Sequence, residues 1–296
     1  MKTTWADIAR GISVSTGRAF RIEQHSQLTG GCINAAWTVA GRGQRYFVKL
    51  NDPARAPMFE AEIAGLAELL RAGAVRAPQP VYFGANATAS WLVLEFIDLR
   101  RRTAESDAML GAQLAELHRR HDGALFGWTR DNTIGSTPQR NAQSVDWPAF
   151  WRDQRLGFQL ELAGRNGYAG RLPARGEMLL QRVPAFFSSH QPAPSLLHGD
   201  LWSGNAACDE SGAPVLFDPA VYCGDREADI AMTELFGGYS ARFHAAYRDA
   251  YPLDAGYEVR RDLYNLYHVL NHLNLFGGSY LQQDERMIDK LLAQSA

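Results

Sequence analysis

The stretch His198-Gly199-Asp200-Leu201-Trp202-Ser203-Gly204-Asn205 decides how the rest of this chain is read. Asp200 and Asn205 have four residues between them, the D-x-x-x-x-N spacing with which a phosphoryl-transfer loop sets its base and its metal-binding amide. Alone the spacing is weak, because His-Gly-Asp and Ser-Gly-Asn are also common turn formers. Thirteen residues beyond Asn205, Asp218 closes the short apolar run Val215-Leu216-Phe217. A second carboxylate at that place could reach the same cation, and Mg²⁺, which keeps several waters, needs little more than one carboxylate, one amide oxygen and the phosphates.

Working upstream, Arg45-Tyr46-Phe47-Val48-Lys49-Leu50 follows Ala35-Ala36-Trp37-Thr38-Val39 across Gly41-Arg42-Gly43, the pattern of a β-hairpin. Phe59, Ile63, Leu66 and Leu70 then repeat at helical spacing and carry Glu62 on their apolar side. An unpaired carboxylate would be costly there, and a strand-end lysine has no evident partner, so a Lys49–Glu62 ion pair resolves both. Glu60 competes, but it shares its face with Ala64 and Ala67 and is expected to face water. Ahead of the hairpin, Thr29-Gly30-Gly31-Cys32-Ile33-Asn34 can serve as a loop whose backbone amides cover phosphates.

Strand-like runs end with Trp91-Leu92-Val93-Leu94-Glu95-Phe96-Ile97, and helical patterns dominate afterwards, around Leu110 to Leu117, Phe150 to Leu162 and Tyr264 to Leu275. The expected fold class is therefore α+β and bilobal: a β-rich N-lobe over residues 1–97 with one main helix, then a larger, mostly helical C-lobe over 98–296. Short strands at Ser195-Leu196-Leu197 and Pro214-Val215-Leu216 would deliver side chains to a cleft.

Other classes are excluded. Thirty basic and 32 acidic residues leave a formal charge of −2, without the footprint of a duplex nucleic-acid binder. Trp5, Asp7 and Arg10 break any apolar run at the N-terminus, so no signal peptide or membrane span is expected, and the cytoplasm is the default setting. There is no G-x-x-x-x-G-K-[ST] P-loop and no H-E-x-x-H. Cys32, Cys208 and Cys223 form no metal-type pair. His118, His121, His244, His268 and His272 fall on or beside helical segments and are expected to be structural.

Taken with Phe126-Gly127-Trp128, Asp131-Asn132, Ile134-Gly135, Asp218-Pro219-Ala220 and Gly224-Asp225-Arg226-Glu227-Ala228-Asp229 running on to Phe236-Gly237-Gly238, these motifs resemble the fructosamine kinase (ketosamine 3-kinase) family. That family lies within the aminoglycoside and choline kinase-like group, with a protein-kinase-like fold. The resemblance implies ATP and Mg²⁺ as cofactors, and a small-molecule ketosamine or a glycated protein lysine as substrate. Phosphorylation of its 3-hydroxyl would release the amine, a deglycation or protein-repair role. By position, Asp200 would be the base, Asn205 and Asp218 the metal ligands, and Lys49 with Glu62 the phosphate-orienting pair. Gly30 and Gly31 would cover the nucleotide, and Glu95, Phe96 and Ile97 would form the adenine hinge.

Trp202 either stacks on the sugar or packs in the core. Asp225, Arg226, Glu227 and Asp229 either brace the catalytic loop through internal ion pairs or touch substrate. Asp-Pro-Ala replaces Asp-Phe-Gly, and no Ala-Pro-Glu activation segment is evident. Cys32 raises a redox switch and a thiol-dependent dimer as alternatives to a simple monomer. The competing functions are an aminoglycoside- or choline-like kinase and an inactive nucleotide-binding module.

Overall fold

The computed structural model describes residues 2–28, 33–120 and 123–295; Gly30, Gly31 and Cys32, and with them the expectations placed on the glycine loop and its thiol, lie outside that range, as does His121. The chain divides into two compact units, Met1–Arg102 with Ala207–Asp218, and Thr103–Ala206 with Pro219–Ala296. A single cut near residue 97 is expected from the sequence. The first unit instead runs five residues further and takes in a later segment, because that segment hydrogen-bonds into it: Arg100 N donates to Cys208 O (2.7 Å), Cys208 N to Arg100 O (3.1 Å), and Leu216 N to Arg76 O (2.9 Å).

In the first unit, helix α1 (Lys2–Thr16) precedes strands β1 (Gln24–Leu28), β2 (Ala35–Gly41) and β3 (Gln44–Asn51), then helix α2 (Ala56–Ala72) and strands β4 (Pro80–Ala85) and β5 (Ser90–Glu95). The five strands form one antiparallel sheet in the order β1-β2-β3-β5-β4. The β2–β3 hairpin turns on Arg42 and Gly43, both at positive φ (52° and 76°), the conformation that matches the twist of flanking strands in a two-residue turn. Helix α1 is a second helix where the sequence reading expected one. Its Ile8 and Ile12 bury completely against Phe20, Val39, Tyr46, Val48, Trp91 and Val93.

Helix α2 starts with Pro57 in its first turn, where a missing N–H costs nothing, and ends at Gly73 in the left-handed region, whose N–H caps Leu69 O. Asp209, in the segment 207–218, pairs with Arg76, which also pairs with Glu95 at 2.7 Å.

The second unit is mainly helical. Helix α3 (Ala104–Arg119) carries a reciprocal cap between Thr103 and Ser106. It is followed by a small hairpin of β6 (Asn132–Ile134) and β7 (Thr137–Gln139), and by helices α4 (Trp147–Phe150), α5 (Phe158–Arg165), α6 (Arg171–Arg182), α7 (Glu227–Leu235), α8 (Ala241–Ala250), α9 (Tyr257–Phe276) and α10 (Leu281–Gln294). A π-helical turn, Trp151–Gly157, joins α4 to α5. Helix α3 lies so close to α8 that a Cβ on Gly111 would overlap the Phe243 carbonyl. Strand Ser195–Leu197, paired with Tyr222–Gly224, leads directly into the His198–Asn205 loop. No helix among the described residues is long and apolar enough to cross a membrane.

Candidate active site

Alternation along β3 puts Val48 and Leu50 on the face that packs against α1 and turns Lys49 to the other. There its Nζ donates to Glu62 Oε1 of α2 and to Asp218 Oδ1, each at 2.6 Å. Burial alone would lower the lysine's pKa. The Asp218 and Glu62 carboxylates outweigh it and hold Lys49 well above its ordinary range, as an ammonium. Glu62 is thus the partner and Glu60 is exposed, as the face argument requires. The second carboxylate on Lys49 was not anticipated. Asp218 adopts φ 56°, a left-handed conformation that Asp tolerates better than most residues, and its side chain is 48% exposed.

In the same unit, Glu95 is engaged twice: its side chain accepts from Arg76 and from Gln79 N (3.2 Å), while its own N–H donates to Gln79 O (2.8 Å). Phe96 lies under the Arg45 guanidinium at 4.2 Å, and Phe96 and Ile97 are half-buried.

In the second unit, Asn205 folds back on Asp200, its Nδ2 donating to Asp200 O (2.8 Å) and Oδ2 (3.1 Å). The loop bearing them is anchored from below by Asp229, one of the charged residues that the sequence offered as a brace for it. Asp229, on the first turn of α7, accepts from His198 N (2.7 Å) and Gly199 N (2.9 Å), and His118 Nε2 lies 3.3 Å from the same carboxylate. Burial would raise the Asp229 pKa, but the His118 and amide contacts hold it below the usual carboxylate value. Gly199 is required by its φ of 81° and by the Ala220 carbonyl, which a Cβ would overlap.

For Trp202 the core alternative falls away, and for the charged run the substrate assignment is corrected. Trp202 is 42% exposed, with its ring over Gly204, so it does not pack in the core. Asp225, Arg226 and Glu227 are 1%, 7% and 0% exposed and spent on internal partners, which removes the sugar-contact reading. Asp225 accepts from His190 Nε2 (2.7 Å) and Tyr264 OH (2.5 Å), Glu227 is gripped by Arg260 at 2.7 and 2.9 Å, and Arg226 donates to Tyr251 O and Pro252 O.

Each unit by itself offers an oxygen of the kind that magnesium prefers. Asn205 commits its Nδ2 to Asp200, leaving the amide oxygen for a cation, and Asp218 offers a half-exposed carboxylate; these are the hard oxygens that Mg²⁺ prefers. Bound with ATP, it would neutralise phosphate charge. Lys49 supplies a fixed cation, and Asp200 a carboxylate that can take a proton.

A β-rich unit with a buried lysine–glutamate pair and a helical unit with an Asp…Asn loop define a protein-kinase-like phosphotransferase. The fructosamine kinase family model matches residues 4–294, and the chain belongs to that family: it is a kinase with an alcohol group as acceptor. It is 45% identical over 288 residues to a probable ketoamine kinase of Synechocystis sp., with 97% of each chain covered. It is 41% identical over 281 residues to the chloroplastic protein-ribulosamine 3-kinase of Arabidopsis thaliana, covering 94% of this chain and 86% of that one. The crystal structure of a candidate fructosamine-3-kinase from Haemophilus somnus 129PT superposes with a TM-score of 0.91 at 29% identity, over 97% of both chains.

Proposed function

We propose that this protein is an ATP-dependent ketosamine 3-kinase that reverses early glycation in the cytoplasm. The sugar 3-hydroxyl attacks the γ-phosphorus, its proton passes to an Asp200 carboxylate oxygen, and ADP departs. Asn205 and Asp218 are the proposed magnesium ligands, Lys49 braced by Glu62 orients the phosphates, and Glu95 to Ile97 border the adenine. Trp202, exposed beside the base, is the surface offered to the sugar. A phosphate on C3 neighbours the C2 carbonyl; enolisation towards C1 lets the C3–O bond break and inorganic phosphate leave, and water then hydrolyses the resulting C1 imine, freeing the amine and leaving a dicarbonyl sugar.

What carries the reading is the Asp200–Asn205 pair on its anchored loop, in a chain of the fructosamine kinase family. The substrate is a ketosamine on a small amine or on a protein lysine. The test is ADP formation against fructosamine, ribulosamine and erythrulosamine adducts, beside aminoglycosides and choline. Turnover of at least one ketosamine, reduced by about 10³-fold in Asp200→Asn, is expected. Turnover of the aminoglycosides alone, or a rate unchanged in the variant, would refute it.

A further inference from the structure

The motif residues Asp131-Asn132 and the hairpin that follows them take no part in the chemistry above, yet they build a buried polar structure directly under the active-site backbone. Asn132, Gln139 and Asn141 are 8%, 1% and 1% exposed. Asn132 Oδ1 accepts from Gln139 Nε2 and Asn141 Nδ2, each at 2.9 Å. The free ends of this spine of amides point to the main chain: Gln139 Nε2 donates to Ala220 O (3.0 Å) and Asn132 Nδ2 to Val221 O (2.8 Å). Ala220 in turn donates its N–H to His198 O at 2.9 Å, and its carbonyl abuts Gly199.

The spine is held at both ends. Tyr267 OH donates to Gln139 Oε1 (2.8 Å), and Arg155 Nη2 donates to Asn141 Oδ1 (2.8 Å). Arg155 is fully buried, with its guanidinium 4.0 Å from the Tyr222 ring and 4.7 Å from Phe150, and it projects from the π-helical turn, a feature often found at functional sites.

We infer that Gln139, with Asn132, is a positioning residue for magnesium: through Ala220 and Val221 it fixes the backbone that leaves Asp218 and meets the His198-Gly199-Asp200 turn. The inference rests on the metal roles proposed above for Asn205 and Asp218. Outer partners that orient metal ligands are typically worth ten- to a hundredfold in metal affinity.

The test is calorimetric titration of the full chain with ATP, with and without Mg²⁺. Gln139→Met keeps the length and removes every hydrogen bond, whereas Tyr267→Phe removes one bond that orients Gln139 and is the milder variant. The Mg²⁺ concentration for half-maximal ATP binding is expected to rise by about tenfold in Gln139→Met and by a few-fold in Tyr267→Phe, with ATP affinity in EDTA within about twofold of wild type. An unchanged Mg²⁺ dependence in a folded variant overturns the inference. So does an equal loss with and without the metal, or unfolding of both variants, each the mark of a purely structural role. Because the readout needs no sugar, a wild-type protein inactive on every ketosamine would sink the proposed reaction while leaving this measurement decisive.

Discussion

The Asp229 carboxylate holds the His198 and Gly199 amides, at 2.7 and 2.9 Å, two residues and one before Asp200, the proposed base. Charge-assisted bonds to backbone amides are stronger than neutral ones. Asp229→Asn turns an NH₂ group towards one of those amides, and a loss of about 3 kcal/mol in stability is expected. Chemical denaturation of the variant, together with kcat measured well below its midpoint, checks this: kcat should fall at least tenfold while the KM for ATP moves little, since no proposed nucleotide contact is altered.

Lys49 stands between two carboxylates, so removing it does more than delete a cation. Lys49→Met leaves Glu62, 13% exposed, without its partner, and a destabilisation of about 3 kcal/mol is expected. The double variant Lys49→Met/Glu62→Leu should recover most of that stability and none of the activity. A thermal-shift series paired with ATP turnover separates the two effects.

His190 gives the fold a pH dependence. Its Nε2 lies 2.7 Å from Asp225 and its Nδ1 2.7 Å from Asp254, with Glu227 at 4.0 Å and Arg260 beyond. Burial disfavours the charged ring, but the Asp225 bond and charge prevail and raise its pKa above 6.5. A raised histidine contributes fully below its unfolded value and loses that contribution as pH climbs through the folded one. Wild type should therefore exceed His190→Gln in thermal midpoint at about pH 6, with the gap narrowing towards about pH 9.

Asp284 is the converse case. It is fully buried with neither oxygen hydrogen-bonded among the described residues, and burial, aided by Glu285, pushes its pKa up to about 8. Near pH 7 it folds protonated from an ionised unfolded chain, so its cost grows from pH 3.8 towards 8. Asp284→Leu should raise stability by about 2 kcal/mol near neutrality, and by less near pH 5, in urea unfolding at the two pH values.

The sequence made some of this legible and hid the rest for physical reasons. Glu62 could be read because an acid on an apolar helix face demands a cation, and Lys49 was the strand residue turned to meet one. Asp225 to Glu227 stayed ambiguous, since a charged run reads alike whether it faces a sugar or an interior histidine and arginine. Helix α1 escaped notice because its core contacts, Ile8 and Ile12, are too few to outweigh the Thr, Ser and Gly around them. Joining residues 207–218 to the first unit needs pairings over a hundred residues apart, Arg76 with Val215 and Arg100 with Cys208, which no local pattern encodes.

The left-handed backbone of Asp218 also bears on how such an enzyme could be lost. Glu would keep the charge, but its longer side chain fits that φ poorly, so the obvious conservative exchange is barred. Asn and Gly both accept the conformation, and each is a single-base change from an aspartate codon. On the metal role proposed for Asp218, a folded chain without the chemistry therefore lies one point mutation away, and lineages that kept the fold for binding alone would be expected to carry Asn or Gly at this position.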